Sequence, residues 1–157
     1  MNKKLRIYVD TSVFGGVFDI EFMEPSTALF QQIRSGQFLL CVSEVVRREI
    51  EFAPERVRNF YAECANLTEM LTITKECIEL REQYLAQGIV SRKYLDDALH
   101  VAAATVSGCD MIVSWNFKHI VHFEKISLYN AINRIHGYRE IFINSPSEVI
   151  VYEEETI

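Results

Sequence analysis

Apolar residues fall along this chain in two rhythms. Short, nearly unbroken runs at Arg6–Val9, Phe38–Val42 and Met111–Ser114 have the length and aliphatic character of buried strands. Between them run longer stretches with helical spacing and clear punctuation. Pro25-Ser26 opens a predicted helix that Gly36 stops, and Ser43 stands as N-cap of another over Glu44–Phe52. Pro54 starts a predicted helix reaching about Leu67. Lys75–Gln87 reads as the next, ended by Gly88. The segment Arg92–Ser107 predicts a helix whose small face, Ala98, Ala102, Ala103 and Ala104, allows close packing on a sheet; Gly108 stops it. A helix over Lys125–His136, an edge strand at Glu140–Ile143 and a final turn capped by Ser145-Pro146 complete the expectation. Strands alternating with helices predict an α/β fold with a central, mostly parallel sheet flanked by helices.

With 157 residues, the chain suits one domain with a real core, residues 1–157, in which 137–157 form a C-terminal extension packed on the rest. No apolar run is long enough to span a bilayer. Met1-Asn2-Lys3-Lys4 leads straight into the first strand without a signal-like segment, so a cytoplasmic location is expected. Cys41, Cys64, Cys77 and Cys109 form no Cys-x-x-Cys pair and read as reduced thiols. The net charge of −6 argues against a protein that coats nucleic acid electrostatically. It leaves room for a metal enzyme, because clustered carboxylates lower the total and a bound cation offsets them locally. The acidic tail Glu153-Glu154-Glu155 reads as a solvated end.

The candidate chemistry begins at Asp10, which closes the first strand. A hydrophobic strand ending in a carboxylate places that charge on the rim where open α/β sheets gather their ligands. Glu49 follows the second strand, Asp97 stands early in the Ala-rich helix, and Asn116 follows the strand Met111–Ser114. Acids at element ends, far apart in sequence, suggest a divalent-metal site assembled by folding. Hard cations such as Mg²⁺ take oxygen ligands, and in phosphodiester cleavage they activate the attacking water and stabilise the leaving oxygen.

Four segments sharpen this reading: Val9-Asp10-Thr11-Ser12, Val42-Ser43-Glu44 through Arg48-Glu49-Ile50, Asp97-Ala98-Leu99-His100 with its alanines, and Asp110 through Ser114-Trp115-Asn116-Phe117-Lys118-His119. In this order and spacing the chain resembles PIN-domain nucleases, above all the VapC-like toxins of bacterial type II toxin–antitoxin pairs. The resemblance runs from Arg6 to about Ile120. It implies a PIN-like three-layer α/β fold and metal-dependent hydrolysis of RNA that leaves a 5′-phosphate. It further implies a small antitoxin partner and a homodimer. Carried over residue by residue, Asp10, Glu49 and Asp97 match the acidic ligands of Mg²⁺ or Mn²⁺. Ser12 and Asn116 match the polar positions that orient water and phosphate, and Lys118 and His119 fall where substrate would pass. His119 stands where the family usually carries a further Asp. Imidazole suits Mn²⁺ better than Mg²⁺, and it could instead touch the scissile phosphate.

Plainer roles are expected for the neighbours. Asp96 reads as a helix-start acid, Asp110 as a residue fixing the turn before its strand, and Glu44 as a partner of Arg48 one helical turn away. His100, in an apolar helix, reads as a hydrogen-bonded core residue. For Trp115 two readings stand, a base-stacking ring or a ring buried beside the sheet end. Arg47, Arg48, Arg92 and Lys93 could contact phosphates or simply face solvent. Two other functions compete with the nuclease. His119 motivates a PIN-like binding or regulatory domain with little catalysis. An aspartate-phosphorylating hydrolase would also begin at a strand-end Asp, but it needs a second Asp two residues on, where this chain has Ser12.

Overall fold

The computed structural model describes residues 3–152; the acidic tail read above as a solvated end lies outside the described residues. Its elements are β1 (Leu5–Val9), α1 (Thr11–Gly16), α2 (Met23–Arg34), β2 (Phe38–Ser43), α3 (Glu44–Ile50), α4 (Glu55–Glu63), β3 (Thr68–Leu71), α5 (Lys75–Ala86), α6 (Leu95–Val106), β4 (Met111–Val113), α7 (Phe123–Ile135), β5 (Phe142–Asn144) and α8 (Pro146–Val149). The expected order is thus recovered, with three differences, of which the short helix α1 directly after β1 is the first. The helix from Pro54 ends at Glu63 rather than near Leu67, and a short strand, β3, follows it. Only Leu71 of that strand is buried, so it offered no apolar run to read.

The sheet has five strands in the order β3-β2-β1-β4-β5, and every pairing is parallel. Ile7, Tyr8 and Val9 in the central strand are fully buried, as expected when helices cover both faces. Tyr8 reaches His100 of α6 on one face, and α5 packs beside α6. Right-handed crossovers from β1 to β2 and from β2 to β3 put α1 to α4 on the opposite face. The segment after position 137 supplies the edge strand β5 and α8, and α8 packs on α2.

The connections run outward in opposite directions from β1 and β4. Their shared C-terminal edge is therefore the topological switch point, where a crevice forms and ligands bind in open α/β sheets. Local chemistry supports this frame. Ser43 caps α3 by accepting from the Val45 N–H at 3.2 Å. Gly36 ends α2 with φ of 86°, a conformation that side chains other than glycine's rarely take. Gly16 has a different reason to be glycine. A Cβ there would stand 2.6 Å from Ser26 Oγ and 2.8 Å from Trp115 Nε1, so its absence makes room for the bond between those two groups.

Candidate active site

Asp10 lies at the switch point. Val9 pairs with Val113, which sets Asp10 beside Ser114 at the ends of adjacent parallel strands. The carboxylate is 4% exposed and receives two hydroxyl hydrogen bonds, Ser12 Oγ to Oδ1 and Ser114 Oγ to Oδ2, each 2.6 Å. Among the described residues no Lys or Arg forms an ion pair with it. Burial, more than anything else, pushes its pKa up, with a further rise from the charge of Glu49. Nearby His100 and the two hydroxyls offset only part of this.

The two serines do more than hold Asp10. Ser12 Oγ also accepts from the Trp115 N–H at 2.9 Å, and Ser114 Oγ accepts from the Asn116 N–H at 2.9 Å. They thereby dock the loop after β4 onto the carboxylate. Asn116 caps the turn that follows, its Oδ1 accepting from the His119 N–H at 2.9 Å.

Glu49, carried by α3, has its Oε1 held by Thr11 Oγ1 and by His100 Nε2, both at 2.7 Å. The other imidazole nitrogen, Nδ1, meets Tyr8 Oη at 2.7 Å, and that hydroxyl meets Ser43 Oγ at 2.7 Å. A continuous polar line therefore runs from the α3 cap through the core to Glu49. Burial alone would lower the His100 pKa, but the bond to Glu49 and the charges of Glu49, Asp10 and Asp97 raise it overall. Burial is likewise the largest single influence on Glu49 and works against its ionised form, but the His100 bond and charge, the Thr11 bond and the charge of Arg48 together outweigh it, leaving that carboxyl lowered. Asp97, in the first turn of α6, meets His119 Nδ1 at 2.8 Å. The His119 ring lies on Tyr94, centroids 3.9 Å apart, and the ammonium groups of Lys93 and Lys118 stand 5.6 and 6.0 Å from the same ring.

All the residues singled out from sequence thus belong to one rim, with Asp10 at its centre. The chain of contacts runs from Glu49 through Thr11 to the Asp10 end of β1, and from Asp10 through Ser12, the Trp115–Asn116 loop and His119 to Asp97. Among the described residues, however, no three His, Cys, Asp or Glu side chains are gathered closely enough to cage a metal ion. The donor set fits a hard cation that retains most of its waters and takes one or two carboxylates, rather than an all-protein cage. The buried Asp10 carboxylate, held by hydroxyls and, among the described residues, without a Lys or Arg ion pair, is the observation behind that fit.

Asp96, Asp110 and His100 take the plainer roles expected of them, and Asp96 stands in the first turn of α6. Asp110 accepts from the Arg6 N–H at 2.8 Å and fixes the turn into β4, and His100 is a hydrogen-bonded core residue. Trp115 is buried: it stacks on Phe22 at 4.2 Å and donates from Nε1 to Ser26 Oγ at 2.8 Å. Arg48 pairs with Asp96 at 3.2 Å rather than with Glu44. Sequence reasoning assigned no role to Ser114, Thr11, Tyr8 or Tyr94. Ser114 had a usable signal, since it stands one residue beyond the strand that would lie next to β1.

No family model matches the sequence, and no curated protein sequence matches it. Solved structures do share the fold. A chain of VapBC2 from Rickettsia felis, bound to a DNA fragment from its promoter, superposes with a TM-score of 0.57 at 11% identity, covering 90% of this chain and 98% of that one. FitAcB from Neisseria gonorrhoeae gives 0.57 at 12% identity, covering 91% and 99%. VapC20 of Mycobacterium tuberculosis, a toxin that cleaves the sarcin–ricin loop, gives 0.53 at 13% identity, covering 87% and 98%. The PIN-like three-layer α/β architecture expected from the sequence is therefore the architecture of these toxin structures.

Proposed function

We propose that this chain is a divalent-metal-dependent ribonuclease and the toxin of a toxin–antitoxin pair. The observation that carries the reading is Asp10: a buried carboxylate at the switch point, fixed by two hydroxyls, without a Lys or Arg ion pair among the described residues, and with the charge of Glu49 nearby. When bound, Mg²⁺ or Mn²⁺ would supply Lewis-acid activation of water and charge neutralisation at the leaving oxygen.

Asp10, Glu49 and Asp97 are the residues to hold that ion, directly or through its waters. Ser12 and Ser114 keep the Asp10 oxygens from rotating. The amide of Asn116, the Lys118 ammonium and the second nitrogen of His119 would meet phosphate oxygens. Water would attack phosphorus, the bond to the 3′-oxygen would break, and the products would be a 5′-phosphate and a 3′-hydroxyl. A small antitoxin partner and a homodimeric state complete the reading. It is supported by the resemblance of the motifs and by a fold shared with a sarcin–ricin-loop-cleaving toxin.

One observation favours a second reading, a catalytically weak RNA-binding or regulatory domain. Imidazoles hold one oxygen of Glu49 and one of Asp97. The test is incubation of the purified protein, and of Asp10→Asn, with total RNA and a labelled single-stranded RNA, in Mg²⁺, in Mn²⁺ and in chelator. Cleavage that needs both metal and Asp10 is the expected result. Absent cleavage together with absent metal binding by calorimetry would favour the regulatory domain.

A further inference from the structure

Four phenylalanines of the described chain are exposed: Phe52, Phe117, Phe123 and Phe142. Among the described residues only Phe117 of these is braced by other rings. Its centroid lies 5.9 Å from Trp115, edge-on at 66°, and 6.5 Å from Phe22, while the ring remains 48% exposed. Trp115 and Phe22 are themselves stacked, and the indole is pinned through Ser26. The backbone is held equally firmly. The Phe117 N–H donates to Trp115 O at 2.9 Å, and the next turn closes on Asn116 O through Ile120 and Val121 at 3.1 and 2.8 Å. Phe117 is therefore a rigid aromatic surface whose ordering cost has already been met by folding.

Its place is as telling as its rigidity. The Trp115 N–H is two hydrogen bonds from the Asp10 carboxylate by way of Ser12, and Phe117 lies two residues further on, within about 7 Å of backbone. The next residue, Lys118, turns its ammonium toward Tyr94, where Lys93 adds another cation. An exposed ring that is followed in the chain by a lysine, whose ammonium shares the Tyr94 ring with that of Lys93, suits a base joined to its phosphate better than an aliphatic protein segment.

We propose that Phe117 is the stacking platform for a nucleobase of single-stranded RNA next to the phosphate at Asp10, with Lys118 and Lys93 gripping the adjoining backbone. The inference rests on the nuclease reading for its substrate and adds to it the contact that selects unpaired over paired RNA, because a base inside a duplex has no free face.

The test compares two labelled oligomers of equal length, a mixed-sequence single-stranded RNA and a ribose-phosphate chain without bases, in chelator so that nothing is cut. Affinity is read by anisotropy, and the chain's one tryptophan, Trp115, reports stacking beside it by its emission. Phe117→Leu should weaken RNA binding about tenfold and leave the base-free chain unaffected. Phe117→Tyr should restore both affinity and the Trp115 response, which separates stacking from a folding defect. RNA binding by Phe117→Leu at wild-type strength would overturn the proposal and assign this face to a protein partner; so would a wild-type protein that binds the two oligomers equally. Cleavage in Mn²⁺ separates the two readings. Phe117-dependent binding without cleavage removes the nuclease and keeps the platform. Cleavage with a KM indifferent to Phe117→Leu removes the platform and keeps the nuclease.

Discussion

Asp10 and Asp110 are the same residue at opposite ends of the same sheet, and the fold treats them differently. Asp110 stands at the N-terminal rim, where the Arg6 N–H donates to it and the Arg139 guanidinium approaches to 3.8 Å. Nearby, Arg6 pairs with Glu69 at 2.8 Å and also donates to Ser107 O at 2.9 Å. Each acid there is answered by a cation or a backbone donor. Asp10, at the C-terminal rim, is more deeply buried and receives only two hydroxyls. A carboxylate compensated by its own fold is a structural part. One that is desolvated without a cation destabilises the chain unless something binds it. That contrast separates the two rims more sharply than residue type does.

The largest effect should come from Asp10→Asn. Changes outside a metal's direct ligands commonly cost about 10–100-fold, so cleavage should fall by more than about a hundredfold. Yet the protein should melt no lower than wild type in metal-free buffer. The raised pKa means that ionised Asp10 weakens the folded state at neutral pH, and Asn removes that charge. Mn²⁺ at about a hundred times its Kd should stabilise the wild type by about 2.7 kcal/mol and leave Asp10→Asn unmoved. Calorimetric melts with and without metal measure both. Equal metal stabilisation of the two proteins would remove Asp10 from the site.

Asp110→Ala should behave in the opposite way. It strips the acceptor from a partly buried N–H and should cost about 1–3 kcal/mol with cleavage per folded molecule unchanged. Chemical denaturation and turnover, measured on the same sample, decide it. A variant of normal stability but reduced turnover would place function at the wrong rim.

Gly16→Ala tests how the C-terminal rim is built. The added methyl meets Ser26 and Trp115 where there is no room, and overpacking of this kind costs about 1–3 kcal/mol. Because Trp115 begins the loop that carries Asn116, Lys118 and His119, turnover should fall together with stability, and Trp115 emission should shift. Loss of stability alone would show that the loop is positioned by Ser12 and Ser114 without help from the indole.

What could be read in advance follows the same division. Strand ends, helix stops and the Ser43 cap depend on neighbours in sequence, and the structure places them within a few residues of expectation. The strand β3 was invisible because an edge strand with one buried side chain has neither an apolar run nor a clean alternation. In the site, Asp10 was legible from its position at a strand end, whereas the hydroxyl of Ser114 and the Tyr8–His100–Glu49 line were not. Those contacts join residues 51 to 104 positions apart, and they exist only because β4 lies in register beside β1 and α6 crosses the sheet over Tyr8. The two readings of Trp115 were separated by a glycine, since only Gly16 lets the indole reach Ser26.

The smallest effect should come from Arg139→Ala, and it sharpens the comparison most economically. Arg139 is 69% exposed, its contact with Asp110 is long at 3.8 Å, and its other bond, to Gly108 O at 3.0 Å, is open to replacement by water. Exposed ion pairs of this kind contribute little, so the change should move the unfolding free energy by no more than about 0.5 kcal/mol. If so, Asp110 is secured by the Arg6 backbone, a donor that no side-chain substitution removes, and the N-terminal rim needs no cation at all. A cost near that of Asp110→Ala would instead make Arg139 the counter-charge. The two rims would then differ only in whether their cation is covalently part of the chain, and a lysine or arginine installed beside Asp10 would be expected to raise stability while abolishing metal binding.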